Sequence, residues 1–343
     1  MKIGITGATG FIGSHLVRHF ASNGDKVIAY GRSEKAPAEL LKLATYKKWD
    51  LTNETFPDIG ELDVLIHCAG FVEFWGSYEA MHNLNVNGIK KVMKSAKNVN
   101  HFIYISTASV YSPNGMNSAA EDTPYPIKYG NNYARTKSEA EKEIIAYQSK
   151  FKKITIIRPH AVYGSGDRHV IPKLLASVKQ GRAFIVGNGK NKLSITHVGN
   201  ICYGISLVIK KQKQHFCIYN IADDTQMTIN SIYKDLLKSM KMDVKIYHIP
   251  YYLALELGVA FEKLYLLLNK QEQPLLTADI AKQFAHNSTL SLTKIKKDLS
   301  YNPPYSYKKG FKDYKEWIDS IGGLEYYLQT QKNDSWRGKL ITY

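Results

Sequence analysis

The stretch YGNNYARTKSEAEKEI, residues 129–144, sets Tyr133 four positions before Lys137 where an amphipathic pattern begins. On a helix this spacing puts both side chains on one face, one turn apart. A phenol with an ordinary pKa near ~10 is a poor proton carrier at neutral pH, and a neighbouring ammonium lowers that value. The pair therefore suits proton transfer to the oxygen of a carbonyl under reduction. In a chain with 24 tyrosines, roughly two or three such pairs arise by chance. Tyr305 and Lys309 form another, so the surrounding chain must separate them.

That context begins at the amino end. Directly after the apolar run KIGIT comes TGATGFIGSHLVRHF, with Gly7, Gly10 and Gly13 three apart. A tight strand-to-helix turn needs a residue free of Cβ, a pyrophosphate needs bare backbone to approach, and helix-on-sheet packing needs a small residue. The helix amino terminus adds free N–H groups and the positive end of its dipole. The pattern predicts a dinucleotide site over Gly7, Ala8, Thr9, Gly10, Phe11, Ile12 and Gly13. The second apolar run, KVIAY, leads to Gly31, Arg32 and Ser33. Where an acid would hold a ribose 2′-hydroxyl, a guanidinium suited to a 2′-phosphate follows instead. NADP(H) is the favoured cofactor and NAD(H) the alternative. In WDLTN, Asp50 beside Leu51 is expected to accept from the adenine amino group. In HCAG, the small residues Cys68, Ala69 and Gly70 let a cofactor lie against the sheet.

The elements that must position these residues alternate. Short apolar runs (KIGIT, KVIAY, the weaker TYKKW, VLIHCAG, FIYIST, ITIIRP) are separated by helical stretches such as 11–22, 78–98 and 131–148. This predicts an α/β fold, a Rossmann-type doubly wound parallel sheet. Beyond Pro159, glycines and prolines break the regularity. Residues 1–160 are expected to form the dinucleotide-binding domain, with some later segments returning to it. Residues 161–330 are expected to form a smaller, mixed C-terminal substrate domain, and 331–343 a polar tail. The segment 249–270 carries Glu256, Glu262 and Lys263 within an apolar run, too many charges for a spanning helix. It is expected to be a buried helix with a narrow polar stripe, with a helix resting on a bilayer as the alternative.

The 343 residues, 44% hydrophobic and 22% charged, describe an ordinary globular chain. A strand at residues 2–6 in place of a leader predicts a cytoplasmic protein. Cys68, Cys202 and Cys217 form no C-x-x-C pair, so neither a metal site nor a disulfide framework is expected. A net charge of +16 implies an anionic partner, such as a phosphorylated cofactor, an acyl carrier or a membrane surface. No nucleic-acid motif accompanies it.

TGATGFIG, Asp50-Leu51, HCAG, NVNG at 85–88, ISTASVY at 105–111, Tyr133-x-x-x-Lys137 and RPHAVYGSGD at 158–167 occur in an order that resembles the extended short-chain dehydrogenase/reductases. The resemblance implies that Thr107, Tyr133 and Lys137 are catalytic, with Asn85 in a supporting position. It adds Ser106, Pro159 and Val162 to the cofactor site, and Ser109 and Tyr111 to the substrate side. Within that superfamily the sequence looks most like the 3β-hydroxysteroid dehydrogenase group and bacterial 3-oxoacyl reductases. The implied activity is carbonyl–alcohol interconversion on a sterol-like or long-chain 3-oxo/3-hydroxy acyl substrate, by an enzyme expected to be a homodimer. The apolar cluster of Phe71, Val72, Phe74 and Trp75 is expected to wall the substrate pocket, and Arg168 with His169 to grip an anionic carrier. Two departures from other branches bear on this. Sugar-nucleotide enzymes carry an asparagine where this chain has Ala161, and dehydratases an acidic pair where it has Ala108 and Ser109. A sugar-nucleotide epimerase with tightly bound NAD is the alternative enzyme, and a non-catalytic cofactor-sensing regulator the alternative of another class.

Overall fold

The structure, a computed structural model, describes residues 1–53, 57, 59–72, 75–268, 270, 274 and 276–332. Its centre is a sheet of seven strands: β1 (Lys2–Thr6), β2 (Lys26–Gly31), β3 (Thr45–Lys48), β4 (Leu62–His67), β5 (Val99–Ile105), β6 (Lys153–Pro159) and β7 (Phe216–Ile221). They lie in the order β7-β6-β5-β4-β1-β2-β3, and every pairing is parallel. The order reverses between β1 and β4, which opens a crevice at their carboxyl ends.

Period-two alternation divides each strand between two cores. On β5, Ile103 and Ile105 join Ile3, Ile5, Leu16 and Phe20 on one face. Phe102 and Tyr104 join Ile89, Val92 and Ile144 on the other. Helices Phe11–Ser22 and Val198–Lys211 cover the first face, and Gly88–Ser95 and Asn132–Tyr147 the second. Edge strand β3 buries none of its four residues, which explains its weak apolar signal.

The chain crosses residue 160 in both directions. Strand β7 returns from the second half to pair with β6. The Met116–Ala119 strand leaves the first half to pair with Ser288–Leu290. A third core of Leu175, Ile185, Ile232, Leu236, Phe311 and neighbours lies among the later helices.

The Tyr251–Leu267 helix departs from expectation. It buries only Ala254 and Gly258. A Cβ on Gly258 would come within 2.6 Å of the Thr277 carbonyl carbon. The next helix, Ala278–Ala285, therefore approaches over the small side, and the large residues stay outside. Among the described residues no helix is long and apolar enough to cross a membrane.

Candidate active site

The glycine turn joins β1 to its helix at the sheet's crevice. Gly7 has φ +65°, and a Cβ there would lie 2.7 Å from the Ala69 nitrogen. A Cβ on Gly13 would lie 2.1 Å from the Gly7 carbonyl oxygen. The turn is closed by the Gly10 N–H, which donates to the Gly7 carbonyl at 2.9 Å. This cradle, with a helix amino terminus behind it, fits a dinucleotide pyrophosphate.

A cavity of about 1230 Å³ runs from this turn across the strand ends into the later helices. Gly7, Thr9, Gly10, Phe11, Ile12 and Gly13 line it, as do Arg32, Asp50 and Leu51 on one side. Cys68, Ala69, Gly70, Ser106, Pro159 and Val162 line it across the sheet edge. Two expected cofactor residues are not in its wall: Ala8 is buried, with its N–H donated to the Tyr30 carbonyl, and Ser33 is exposed beyond the rim. Asp50 Oδ1 accepts from the Thr52 N–H at 3.0 Å and its hydroxyl at 2.8 Å. These bonds, the backbone one foremost, hold the carboxyl below its ordinary range, and Arg32 adds to the effect. That oxygen is thus engaged in its own turn, which limits its availability to adenine.

Thr107, Tyr133 and Lys137 meet on one wall of the same cavity. Thr107 immediately follows the residues that extend β5. Tyr133 opens the Asn132–Tyr147 helix, where the Asn131 side chain caps by accepting from the Ala134 N–H at 2.8 Å. Thr107 Oγ1 lies 3.1 Å from Ser109 Oγ and hydrogen-bonds the Tyr133 phenol. The phenol is not lowered as the Tyr-Lys spacing predicts. Burial pushes it up to about 12, against the opposing hydrogen bond from Thr107. Lys137 Nζ is turned to the Ile105 carbonyl at 2.7 Å and sits 4.1 Å from the centre of the Tyr104 ring. Burial lowers this amine to about 7, against the raising effect of Glu141. Two hydroxyls and a buried phenol–amine pair can hold a carbonyl oxygen and exchange a proton with it. Tyr305 and Lys309 are elsewhere: Tyr305 stacks on His197 at 4.0 Å, and Lys309 lies over the Tyr305 ring.

Beneath the wall runs a buried polar network that spacing did not reveal. Arg158 grips Glu141 with Nε–Oε1 at 3.1 Å and Nη2–Oε2 at 2.6 Å. Ser106 Oγ and the Tyr125 hydroxyl donate to the same carboxylate. Ser106 is therefore committed downward although it borders the cavity. Tyr111, expected on the substrate side, belongs to this network instead. Its hydroxyl accepts from Arg158 Nη1 and donates to Asn220 Oδ1, both at 2.8 Å, because burial demands partners for both phenol and guanidinium. Asn85 is buried behind the cavity: Oδ1 accepts from the Phe71 N–H at 2.7 Å, and Nδ2 donates to Thr136 Oγ1 at 3.1 Å. It fastens the loop after β4 and has no place in the cavity wall.

The far half of the cavity is walled by apolar side chains that no motif marked, among them Phe184, Ile185, Ile229, Ile232, Leu276 and Phe284. Their helical and strand patterns are those of any core, so only the tertiary arrangement distinguishes them. Phe71 and Val72 join the wall; Trp75 is half-buried outside it, and Phe74 lies outside the described residues. Arg168 and His169 line the cavity, but burial lowers His169 to about 4, so it is not the expected cation at neutral pH. Asp279 and Gln283 add one polar spot, where Gln283 Nε2 donates to Asp279 Oδ2 at 2.8 Å.

The class follows from comparison with known proteins. Residues 3–222 match the NAD dependent epimerase/dehydratase family, and the chain belongs to it. It is an NAD(P)-dependent oxidoreductase of the extended short-chain type. The chain is 28% identical over 325 residues to a 2-alkyl-3-oxoalkanoate reductase of Shewanella oneidensis, covering 90% of this chain and 84% of that one. It is 30% identical over 321 residues to a decarboxylating sterol-4-alpha-carboxylate 3-dehydrogenase of Dictyostelium discoideum, covering 89% and 97%. The fold matches a UDP-glucuronic acid 4-epimerase of Bacillus cereus, crystallised with NAD, with a TM-score of 0.72 and 22% identity over 94% of this chain and 99% of that one.

Proposed function

We propose that this enzyme interconverts a carbonyl and a secondary alcohol on a largely apolar substrate, sterol-like or a long-chain 3-oxo/3-hydroxy acyl compound, with NADP(H) preferred. The observation that carries this reading is the meeting of Thr107, Tyr133 and Lys137 with a glycine phosphate cradle at one end of a cavity whose other end is apolar. The two named relatives, a 3-oxoalkanoate reductase and a sterol 3-dehydrogenase, support the substrate class. Arg32 at the cavity wall supports NADP(H).

The turn of Gly7, Gly10 and Gly13 would hold the pyrophosphate of a nicotinamide dinucleotide, which would supply hydride transfer as its chemistry there. Thr107 and Ser109 hold the substrate oxygen, and their hydroxyls polarise it. Tyr133, held protonated at about 12, is the proton donor in the reducing direction and recovers its proton afterwards. Lys137 steadies the phenolate left behind whenever its amine is charged, which below about pH 7 is most of the time. Arg158 and Glu141 keep the floor of this wall fixed.

The test is a panel of 3-oxo acyl compounds, sterols and sugar nucleotides, followed by nicotinamide absorbance. Turnover should fall on the apolar ketones or alcohols. Tyr133→Phe should lower kcat by about 10²–10⁴ while cofactor binding is retained. Turnover of a nucleotide sugar with tightly held NAD, or an unimpaired Tyr133→Phe enzyme, overturns the reading.

A further inference from the structure

The Tyr251–Leu267 helix turns its apolar stripe outward. Leu253, Leu257, Phe261, Leu264 and Leu268 recur at helical spacing and are all exposed, and Tyr252 and Leu267 flank them at 78% and 80% exposure. The inward side carries Ala254, Gly258 and Glu262, whose carboxylate is engaged by the Ala278 N–H at 2.8 Å. The helix is apolar around most of its circumference, so packing through its small side leaves the large apolar residues exposed, unlike a helix whose apolar face covers a core.

The chain enters this helix from the strand Lys245–Ile249, which pairs with Arg182–Val186. On their outer face the register sets Lys245 opposite Arg182 and Tyr247 opposite Phe184. The two rings stack at 5.7 Å. Val186 packs with Ala254 and Ala281, so strand pair and helix present one continuous surface. Cations outnumber acids on it: Arg182, Lys245, Lys263 and Lys270 are exposed, against the exposed acids Asp243 and Glu256. Phe184 is at once 48% exposed and part of the cavity wall, which makes the outer apolar surface continuous with the apolar end of the cavity.

We propose that this surface seats the enzyme on a lipid bilayer bearing anionic headgroups, with the helix lying in the interface and the cavity mouth facing the lipid. Leucines and aromatics enter the headgroup boundary, and the basic rim meets the anionic heads. A second copy of the chain docked on the same face would bring two basic rims together, which disfavours that occupant. Seating gives an apolar substrate a path from lipid to cavity without crossing water. Only that delivery route rests on the proposed substrate class, since the surface itself is independent of it.

The test uses the full chain with phosphatidylcholine vesicles, with and without phosphatidylglycerol, in a sedimentation assay, with ultracentrifugation of the protein alone. The wild type should bind the anionic vesicles preferentially, and more weakly as salt rises. Leu257→Asp with Phe261→Asp should weaken that binding by at least about tenfold, with melting temperature and cofactor affinity unchanged. Lys245→Glu with Lys263→Glu, which leaves the apolar stripe intact, should remove the preference for anionic vesicles. Failure to bind, equal binding to neutral vesicles, or a dimer that the Leu257/Phe261 variant converts to monomer would overturn the proposal. Vesicle binding by a protein inactive on every ketone tested would still support it, and would reject only the substrate reading.

Discussion

Lys137→Met should make the protein more stable while removing its activity. Burial brings this amine from its ordinary 10.5 to about 7. A pKa interval of that size corresponds to roughly 4–5 kcal/mol of unfavourable burial at neutral pH. Methionine keeps the length and packs on the Tyr104 ring, but it leaves the Ile105 carbonyl, now bonded to Nζ at 2.7 Å, without that donor. Such a loss costs about 1–3 kcal/mol. The net gain of ~1–4 kcal/mol becomes a rise of about 1–6 °C in melting temperature for a chain of this length, from the usual per-residue unfolding entropy. The pH dependence is the sharper signature. Between about pH 7 and 10.5 the unfolded chain holds a proton on this amine that the folded chain lacks, so wild-type stability rises with pH through that window. The variant lacks the rise, so its advantage should be largest at pH 7 or below, cross zero at about pH 8–10, and become a deficit of about 1–3 kcal/mol near pH 10.5, where only the lost hydrogen bond remains. Thermal unfolding of both proteins across this range is the assay. A variant that melts below wild type at pH 7, or a difference that does not change with pH, refutes the reasoning.

Two further outcomes follow from the cofactor half. Gly13→Ala puts a Cβ 2.1 Å from the Gly7 carbonyl oxygen, and displacing the turn by overpacking costs about 1–3 kcal/mol. Titration should show dinucleotide affinity lower by roughly 5- to 150-fold, and an unchanged Kd counts against the cradle. Arg32→Ala should weaken NADPH by about tenfold or more, as loss of a charged hydrogen bond does, and leave NADH nearly as before; equal losses count against a 2′-phosphate role.

The sheet was legible in the sequence because parallel strands buried on both faces read as continuous apolar runs, and only edge strand β3 was faint. The glycine turn was legible because backbone geometry dictates its residue type. The Tyr133–Lys137 pair was distinguished from Tyr305–Lys309 by what precedes it in the chain. What escaped was whatever depends on side-chain direction. Tyr111 and Ser106 lie beside Thr107 in sequence, yet both turn to the buried Arg158–Glu141 pair. The apolar wall from Phe184 to Phe284 carries no pattern that separates a pocket from a core. The helix at 251–267 has the composition of a buried element, and only the small residues on its inner side, Ala254 and Gly258, hold the key to its exposure.

The crossing of residue 160 in both directions bears on how the chain acquires its shape during synthesis. When residue 159 leaves the ribosome, β6 can already pair with β5, but its other edge waits for β7, whose first residue is Phe216. For more than fifty residues of elongation, about 3–11 s at ordinary rates, that edge offers unpaired backbone groups to any passing strand. A nascent chain stalled or truncated in this interval would have its phosphate turn in place and yet be prone to aggregate. Once Ile221 has emerged and joined Pro159, β6 becomes an interior strand and β7 takes over the sheet's edge.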